Sequence, residues 1–486
     1  MTSATRVEET DSPQPSAAPS HVTAPVTPGA GLARTSPVSY LSLLVFYLPL
    51  GFSGLMMTLD LPVVNAVLNR FPDPNTSVAA LRVAFSLALV YEAAHISMID
   101  TSTALSSDRT VFSMLRRFYL VMAGALLVVA SLIAFSPLYD LIVRGVMNIP
   151  IEVAEAARPA VWAFLLWPIP IGWRRLYQGA LIRHGHSKPV GAGGLVRLGS
   201  LAVALIFFSW FGTSVIRLEP AAIAVLAMLV SVTAEAAAVH GWTAQVLRSM
   251  PESTPGKPAP TYADLWRFFF PLGLTAVMST LVQPVVTAGI ASAAIAWASP
   301  DGGVVAVASY AIAWSMAFLV FGPTLSMTQA SIAWASSPDP EVRRRGPRVI
   351  MGVGVGMALL MALASFTPFA YWLFTYLIQS PPATAAAAVE VAHWLVPMPI
   401  LHSASFMLRG KLIARREPKA VRRAQLIDLI SIVVIIQLAI HEPVASLFHG
   451  LPAAPLAAAA YNFMLCVDIM ILLWSLRART ATGAGA

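Results

Sequence analysis

Pro49-Leu50-Gly51-Phe52-Ser53-Gly54-Leu55-Met56-Met57-Thr58-Leu59-Asp60-Leu61-Pro62-Val63-Val64-Asn65-Ala66 returns 222 residues later as Pro271-Leu272-Gly273-Leu274-Thr275-Ala276-Val277-Met278-Ser279-Thr280-Leu281-Val282-Gln283-Pro284-Val285-Val286-Thr287-Ala288, with ten of eighteen positions identical and no gap. Both copies are apolar enough to cross a bilayer. The likeness continues along the chain. Met98-Ile99-Asp100 faces Met327-Thr328-Gln329, Phe135-Ser136-Pro137 faces Phe366-Thr367-Pro368, Pro168-Ile169-Pro170 faces Pro397-Met398-Pro399, and Gly179-Ala180-Leu181-Ile182 faces Gly410-Lys411-Leu412-Ile413. Offsets drift only between 222 and 231. Ordered matches of this kind mark an internal duplication rather than two unrelated greasy helices.

The composition is that of a membrane protein. Of 486 residues, 57% are hydrophobic and only 11% charged, against roughly 25% charged in ordinary globular chains. Twelve apolar spans are expected, at 39–66, 78–104, 116–140, 157–183, 190–212, 220–247, 263–292, 303–335, 347–378, 385–414, 420–441 and 452–476. The expected fold is therefore an all-α polytopic membrane protein of twelve transmembrane helices in two six-helix lobes. Residues 1–37, rich in Pro, Ser, Thr and Ala, read as a disordered tail. Residues 38–247 form the first lobe, 248–262 a polar, Pro-rich linker, 263–476 the second lobe, and 477–486 a short tail. Six helices, an even number, separate the copies. The repeats therefore share one orientation, and the axis relating them runs along the membrane normal.

With the amino terminus in the cytoplasm, 22 of the 31 Lys and Arg residues fall in cytoplasmic segments and five, Arg70, Arg82, Arg144, Arg158 and Arg217, outside. This bias puts both termini and the linker in the cytoplasm of a cell whose composition suits a bacterial inner membrane. It also explains the net charge of +8 without nucleic acid. Clusters such as Arg343-Arg344-Arg345 and Arg415-Arg416-Glu417-Pro418-Lys419 would meet anionic lipid headgroups. The single cysteine, Cys466, precludes an intramolecular disulfide and reads as a small buried hydrophobe. No phosphate-cradling Gly-rich loop with Lys-Ser or Lys-Thr is present, so ATP hydrolysis is not expected. His393 and His402, nine residues apart, lack metal-ligand spacing, and no cofactor or metal is expected.

The layout of six plus six helices in parallel repeat, with a Pro-containing first helix, resembles the multidrug/oligosaccharidyl-lipid/polysaccharide exporter superfamily. Within it, Phe270-Pro271-Leu272-Gly273 followed by Gln283-Pro284-Val285-Val286, with Ala308-Ser309-Tyr310-Ala311-Ile312-Ala313 and Gly322-Pro323, is similar to the progressive ankylosis protein family. The resemblance implies a MATE-like secondary transporter that moves a small organic solute by alternating access, acts as a monomer, and draws on an H+ or Na+ gradient. Many multidrug extrusion members carry an acidic coupling residue late in the first helix. This chain has Asn65 there and Thr287 in the second copy, and an amide cannot exchange a proton near neutral pH.

Charges inside hydrocarbon cost about 2.5–3.5 kcal/mol on insertion scales, so each must line a cavity, pair or snorkel. Asp60, Glu92, His95 and Asp100 are candidates for ion coupling. Glu92 and His95 lie one helical turn apart and either exchange protons or satisfy each other. Asp60 either serves as a displaced coupling carboxylate or is solvated near the outer surface. Candidates for the substrate cavity are Asn65, Arg174, Arg197, Gln283, Thr287 and Arg409. Of the neighbours Arg174 and Arg175, at most one faces the centre. Arginines there favour an anionic substrate, unless they pair with Glu92 or Glu235. Glu235, Asp428 and Asp468 are expected to pair within their lobes. Pro49, Pro62, Pro168, Pro170, Pro271, Pro284, Pro397 and Pro399 are candidate kinks and hinges. The competing expectations are export of amphipathic cations near Trp314, Phe318 and Trp334, and flipping of a lipid-linked sugar. From another class come an intramembrane enzyme, for which the longest outer loop, 137–157 with Asp140, Glu152 and Glu155, is short, and a membrane scaffold that transports nothing.

Overall fold

A computed structural model describes residues 38–482 except 69, 147–150, 213, 214, 216, 217, 255–258, 297–303 and 441–451; the tail 1–37 lies outside the described residues. All regular structure among the described residues is helical. In the first half it comprises α1 (Tyr40–Leu68), α2 (Pro74–Ile96), α3 (Met98–Leu105), α4 (Arg109–Phe135), α5 (Leu138–Asp140), a π-helical turn Leu141–Val146, α6 (Ile151–Phe164), α7 (Pro168–Arg183), α8 (Lys188–Phe211) and α9 (Pro220–Ser249). The second half follows the same order: α10 (Tyr262–Ala296), α11 (Val304–Phe321), a 3₁₀ turn Gly322–Ser326, α12 (Met327–Ala335), α13 (Pro340–Phe366), α14 (Pro368–Trp372), a π-helical turn Leu373–Leu377, α15 (Pro382–Trp394), α16 (Met398–Ala414), α17 (Pro418–Ile440) and α18 (Ala453–Thr482). Even the π turns recur at matching places.

Nine helices among the described residues are long and apolar enough to span a membrane, and α15 with α16, bent by 44°, makes a tenth span. The α6–α7 pair is the first-half counterpart of α15–α16. The helix α17 carries Lys419, Arg422, Arg423 and Asp428, which dilute its apolar character. These two elements complete the twelve-helix plan. Four spans expected to be continuous are interrupted: 78–104 at Ser97, 157–183 at residues 165–167, 303–335 at Gly322–Ser326 and 385–414 at residues 395–397. Prolines account for several of these interruptions, because Pro168, Pro323 and Pro397 offer no N–H to the turn before them. Local capping is repeated as well. Asp108 accepts from Val111 N at 2.9 Å to open α4, and Asp339 accepts from Glu341 N at 2.8 Å to open α13.

Glycine permits the closest helix contacts. A Cβ on Gly179 of α7 would sit 2.5 Å from Ser102 Cβ of α3, and one on Gly410 of α16 would sit 2.5 Å from Ser331 Cβ of α12. Beside each glycine a hydroxyl crosses to the facing helix. Ser102 donates to Leu176 O at 2.6 Å and Ser331 to Met407 O at 2.7 Å. Small residues and hydroxyls at helix seams are the expected adhesive in a membrane, where hydrophobicity alone gives no reason for helices to associate. Large apolar side chains such as Val121, Leu132, Ile206, Leu363 and Trp474 are left on the outside, as a lipid-facing surface requires.

Buried apolar residues form three clusters. One, toward the linker side, draws on both lobes, with Tyr47, Met98 and Leu176 from the first beside Met327, Trp334 and Leu408 from the second. Away from the linker there are two separate cores. One is built from first-lobe residues such as Val64, Ala84 and Val225, the other from second-lobe residues such as Val286, Phe374 and Met464. The lobes thus share a core at one end and keep their own at the other.

Gly179→Ala and Gly410→Ala should each lower the thermal midpoint of the detergent-solubilised protein, by overpacking worth about 1–3 kcal/mol. Gly124→Ala, with open space around the new methyl, should be neutral or stabilising by up to about 1 kcal/mol. Equal melting of all three would contradict the close helix contact.

Candidate functional site

The lobes meet across residues related by the repeat. Gln329 Nε2 on α12 donates to Asp100 Oδ1 on α3 at 2.7 Å. These two positions face each other in the duplicated sequence, so the bond straddles the pseudo-twofold axis. On one side of it, α1 packs on the 3₁₀ turn of the second lobe. Tyr47 donates its hydroxyl proton to Pro323 O at 2.5 Å, Ser326 donates to Leu50 O at 2.9 Å, and Gly54 lies against Gly322. On the other side α10 packs on α2, and Gly273 approaches Ser97 at the α2–α3 break.

Around this bond the first lobe gathers charge. Glu92 is buried on α2, and its Oε2 has no hydrogen-bond partner. Arg175 on α7 lies within electrostatic reach of both Glu92 and Asp100. Its guanidinium touches Met57 Sδ of α1 at 3.1 Å and Gln178 Oε1 at 3.5 Å. Arg174, expected in the cavity, instead turns into the lobe. It makes a fully buried ion pair with Glu235 of α9, and Gln178 donates to the same carboxylate at 3.1 Å. The reason is geometric: consecutive helical residues diverge by about 100°, and Arg174 takes the α9 side. Its neighbour Arg175, not among the residues expected in the cavity, instead contacts α1 and lies within electrostatic reach of Asp100 at the inter-lobe bond.

Arg197 on α8 pairs with Asp60 on α1, both buried, and not with Glu92 or Glu235. Asp60 is 4% exposed, which excludes solvation at the outer surface, one of the two readings its sequence position allows. His95 donates from Nδ1 to Tyr91 O at 3.1 Å and packs edge-on against Tyr119, so its ring is not turned to Glu92. Asn65 is half-buried and Thr287 exposed. The side chains of Gln283 and Pro284 lie outside what the structure describes. α1 continues through Pro49 and Pro62, and α10 through Pro271 and Pro284. Pro168, Pro170, Pro397 and Pro399 instead sit where α7 and α16 begin.

The second lobe arranges its charges differently. Arg409 of α16 reaches Asp428 of α17 at 3.1 Å and Asp468 of α18 at 3.0 Å. Ser405 bonds Asp468, and Gln425 accepts from Arg409 at 2.8 Å. Glu235, Asp428 and Asp468 each face an arginine of their own lobe. Yet one guanidinium faces two carboxylates. The first lobe shows the same surplus: Asp60, Glu92, Asp100 and Glu235 against Arg174, Arg175 and Arg197. Where the first lobe has Glu92 and Arg175, the repeat positions of the second carry Phe321 and Phe406, rings 6.0 Å apart. His402 packs on Phe321 at 4.5 Å and bonds the Tyr461 hydroxyl at 3.1 Å. At these repeat-related positions the first lobe is ionic and the second aromatic. No metal-binding cluster of His, Cys, Asp or Glu occurs among the described residues.

The sequence model of the progressive ankylosis protein family matches residues 256–453. No curated protein matches the chain significantly in sequence. Solved structures match closely in shape. A MOP superfamily transporter from Pyrococcus furiosus, described as having a binding pocket of reversed polarity, superposes with a TM-score of 0.71 at 17% identity, over 91% of this chain and 96% of that one. An outward-facing multidrug resistance MATE family transporter superposes at 0.68 with 16% identity, over 91% and 96%. A MATE structure in a straight conformation does so at 0.68 with 16% identity, over 92% and 96%. The chain therefore has the twelve-helix, two-lobe fold of the MATE-like transporters of the MOP exporter superfamily, and its second half carries the sequence pattern of progressive ankylosis proteins.

Proposed function

We propose that this protein is a secondary transporter that moves a small organic anion across the membrane by alternating access, driven by an H+ or Na+ gradient. The observation that carries the reading is the arrangement of the cores: shared on the linker side, separate on the far side. A solute entering between the separate halves reaches the Asp100–Gln329 bond, beyond which the lobes are sealed. Opening toward the linker requires that bond and the contacts of Tyr47 and Ser326 to be broken while the far halves close. Lobes 38–247 and 263–476 would rock as bodies, with 248–262 as their tether. With the linker and both termini in the cytoplasm, lobes that share a core only on the linker side would correspond to an outward-facing state. The chain would work as a monomer, with its substrate and surrounding lipid as its only partners, and without catalysing a reaction.

Arg175 is the residue best placed to meet an anion. It faces α1 at the seam and is not consumed by a salt bridge, unlike Arg174 and Arg197. A guanidinium there offers two parallel N–H donors to a carboxylate or phosphate. The aromatic wall opposite, with Phe321 and Phe406, would receive the apolar part of the solute. Coupling follows from the charge surplus. Each lobe buries one more carboxylate than arginine, and a proton or a sodium ion at Asp428–Asp468, or at Glu92–Asp100, would neutralise it. Asp60 is held by Arg197 and is thereby a weaker coupling candidate than the sequence alone suggested. Export of cationic drugs would be the better reading if the aromatic wall, and not Arg175, bound the solute.

Reconstituted into liposomes with imposed pH or sodium gradients, the protein should accumulate a di- or tricarboxylate or a nucleotide. Arg175→Ala should reduce that flux at least tenfold with unchanged melting. Flux of a cationic dye alone would overturn the anion assignment. Asp428→Asn should preserve solute exchange at equilibrium but abolish its response to the gradient. Arg409→Met, by stranding two buried carboxylates, should destabilise the fold by about 3–5 kcal/mol in a melting assay.

A further inference from the structure

Both lobes turn from α7 to α8, or from α16 to α17, through the same hydrogen-bonded loop. In the first, Gly185 N donates to Ile182 O and His186 N to Leu181 O; in the second, Arg416 N donates to Ile413 O and Glu417 N to Leu412 O. The pattern requires a left-handed residue at its centre. Gly185 supplies it at φ 81°, but the equivalent residue of the second lobe is Arg416, at φ 62°. A side chain with a Cβ is disfavoured there. Membrane orientation does not explain the exception. The two turns lie on the same side of the membrane, and Arg415 and Lys419 already carry positive charge next to it.

The position of Arg416 does offer a reason. It stands where two cavities join at the linker-side seam. One, of about 410 Å³, is lined among others by Arg267, Arg416, Lys419 and Arg423; the second, of about 320 Å³, continues past Arg416 to Ser107, Asp108 and Thr254 of the first lobe and linker. The acids of this groove are already engaged. Asp264 accepts from Thr261 N at 3.0 Å and its hydroxyl at 2.7 Å, and Asp108 accepts from Val111 N, Ser107 and Thr254. Glu417 also has a partner. Among the described residues, no hydrogen bond or salt bridge engages the side chains of Arg267, Arg416, Lys419 or Arg423. Trp266 and Tyr262, half-exposed beside the groove on α10, are residues suited to the headgroup level of a bilayer.

We propose that this groove is a binding site for a phosphate-bearing anion, held by Arg267, Arg416, Lys419 and Arg423, whose occupancy favours the conformation sealed on the linker side. The groove has walls from both lobes, so a bound anion ties α3 and the linker to α10 and α17. Separation of the lobes at that end would dismantle it. The phosphate could come from an acidic phospholipid headgroup or from a soluble phosphate, and both present the same chemistry to guanidinium and ammonium groups.

The test uses the full chain in neutral detergent and follows its thermal midpoint against dioleoyl phosphatidylglycerol, dioleoyl phosphatidylcholine, inorganic pyrophosphate and, as a screening control, sodium chloride of equal ionic strength. Phosphatidylglycerol or pyrophosphate should raise the midpoint saturably, and the one that does so identifies the source. Arg416→Gly installs the residue that the sister turn already uses. Without ligand it should melt at or above the wild-type temperature, and the apparent affinity for the anion should fall at least tenfold. Lys419→Ala with Arg423→Ala should weaken it as well. An equal shift in wild type and Arg416→Gly, a shift reproduced by sodium chloride, or no shift with either phosphate compound would each overturn the assignment. None of these outcomes depends on solute flux, so the site can fail while the transport reading stands.

Discussion

The two lobes meet along a seam whose apolar core is shared at one end only. In a bilayer two six-helix bundles have no hydrophobic reason to adhere, because lipid chains are as apolar as leucine. They are held by close approach of backbones and by a few polar bonds. Gly54 against Gly322, Tyr47 on Pro323 O, Ser326 on Leu50 O and the Asp100–Gln329 bond supply both. Individually each is worth on the order of 1 kcal/mol. A closure made of several such bonds is firm enough to define a state and weak enough to be exchanged for another.

The charges within the lobes have a different task. Arg174–Glu235 and Arg197–Asp60 are buried pairs in which each arginine meets a carboxylate of its own bundle. Removing one partner from such a pair strands a charge in a medium of low dielectric, at about 3–5 kcal/mol, so these pairs fix the bundle as a rigid body. Arg175 differs from its neighbour only by a rotation of about 100° about the helix axis. That rotation separates a cation paired inside the lobe from one within electrostatic reach of Asp100 at the inter-lobe bond.

Much of this plan is legible in the sequence. Duplication is visible because Pro49–Ala66 and Pro271–Ala288 keep ten identities in register, and the matches downstream fix six helices per copy. The repeat sets Asp100 opposite Gln329, but that they touch depends on the axis passing between them, which no pairwise match of residues states. The partner of Arg197 is hidden because Asp60 is 137 positions away on another helix, and its place near the end of its span leaves solvation as open as burial. Depth along a helix is set by neighbours, and α8 covers it. The break after Ile96 is illegible, since no proline precedes Met98 closely, whereas Pro168 and Pro397 do announce the bends beside them. Arg416 cannot stand out in a basic loop until its backbone angle is set beside the glycine of the sister turn.

The bond between Asp100 and Gln329 also bears on how such a chain differs from a dimer. A two-fold assembly of identical subunits must place the same side chain on both sides of its axis. Two aspartates there would repel. Once the copies are fused, the positions are free to diverge, and an acceptor can face a donor at the point where strict symmetry forbids it. The ionic face of Glu92 and Arg175 opposite the aromatic face of Phe321 and Phe406 is the same freedom extended outward from the axis. Covalent fusion thus lets the two copies carry ionic residues on one side and aromatic residues on the other, a difference that no homodimer of either half could hold.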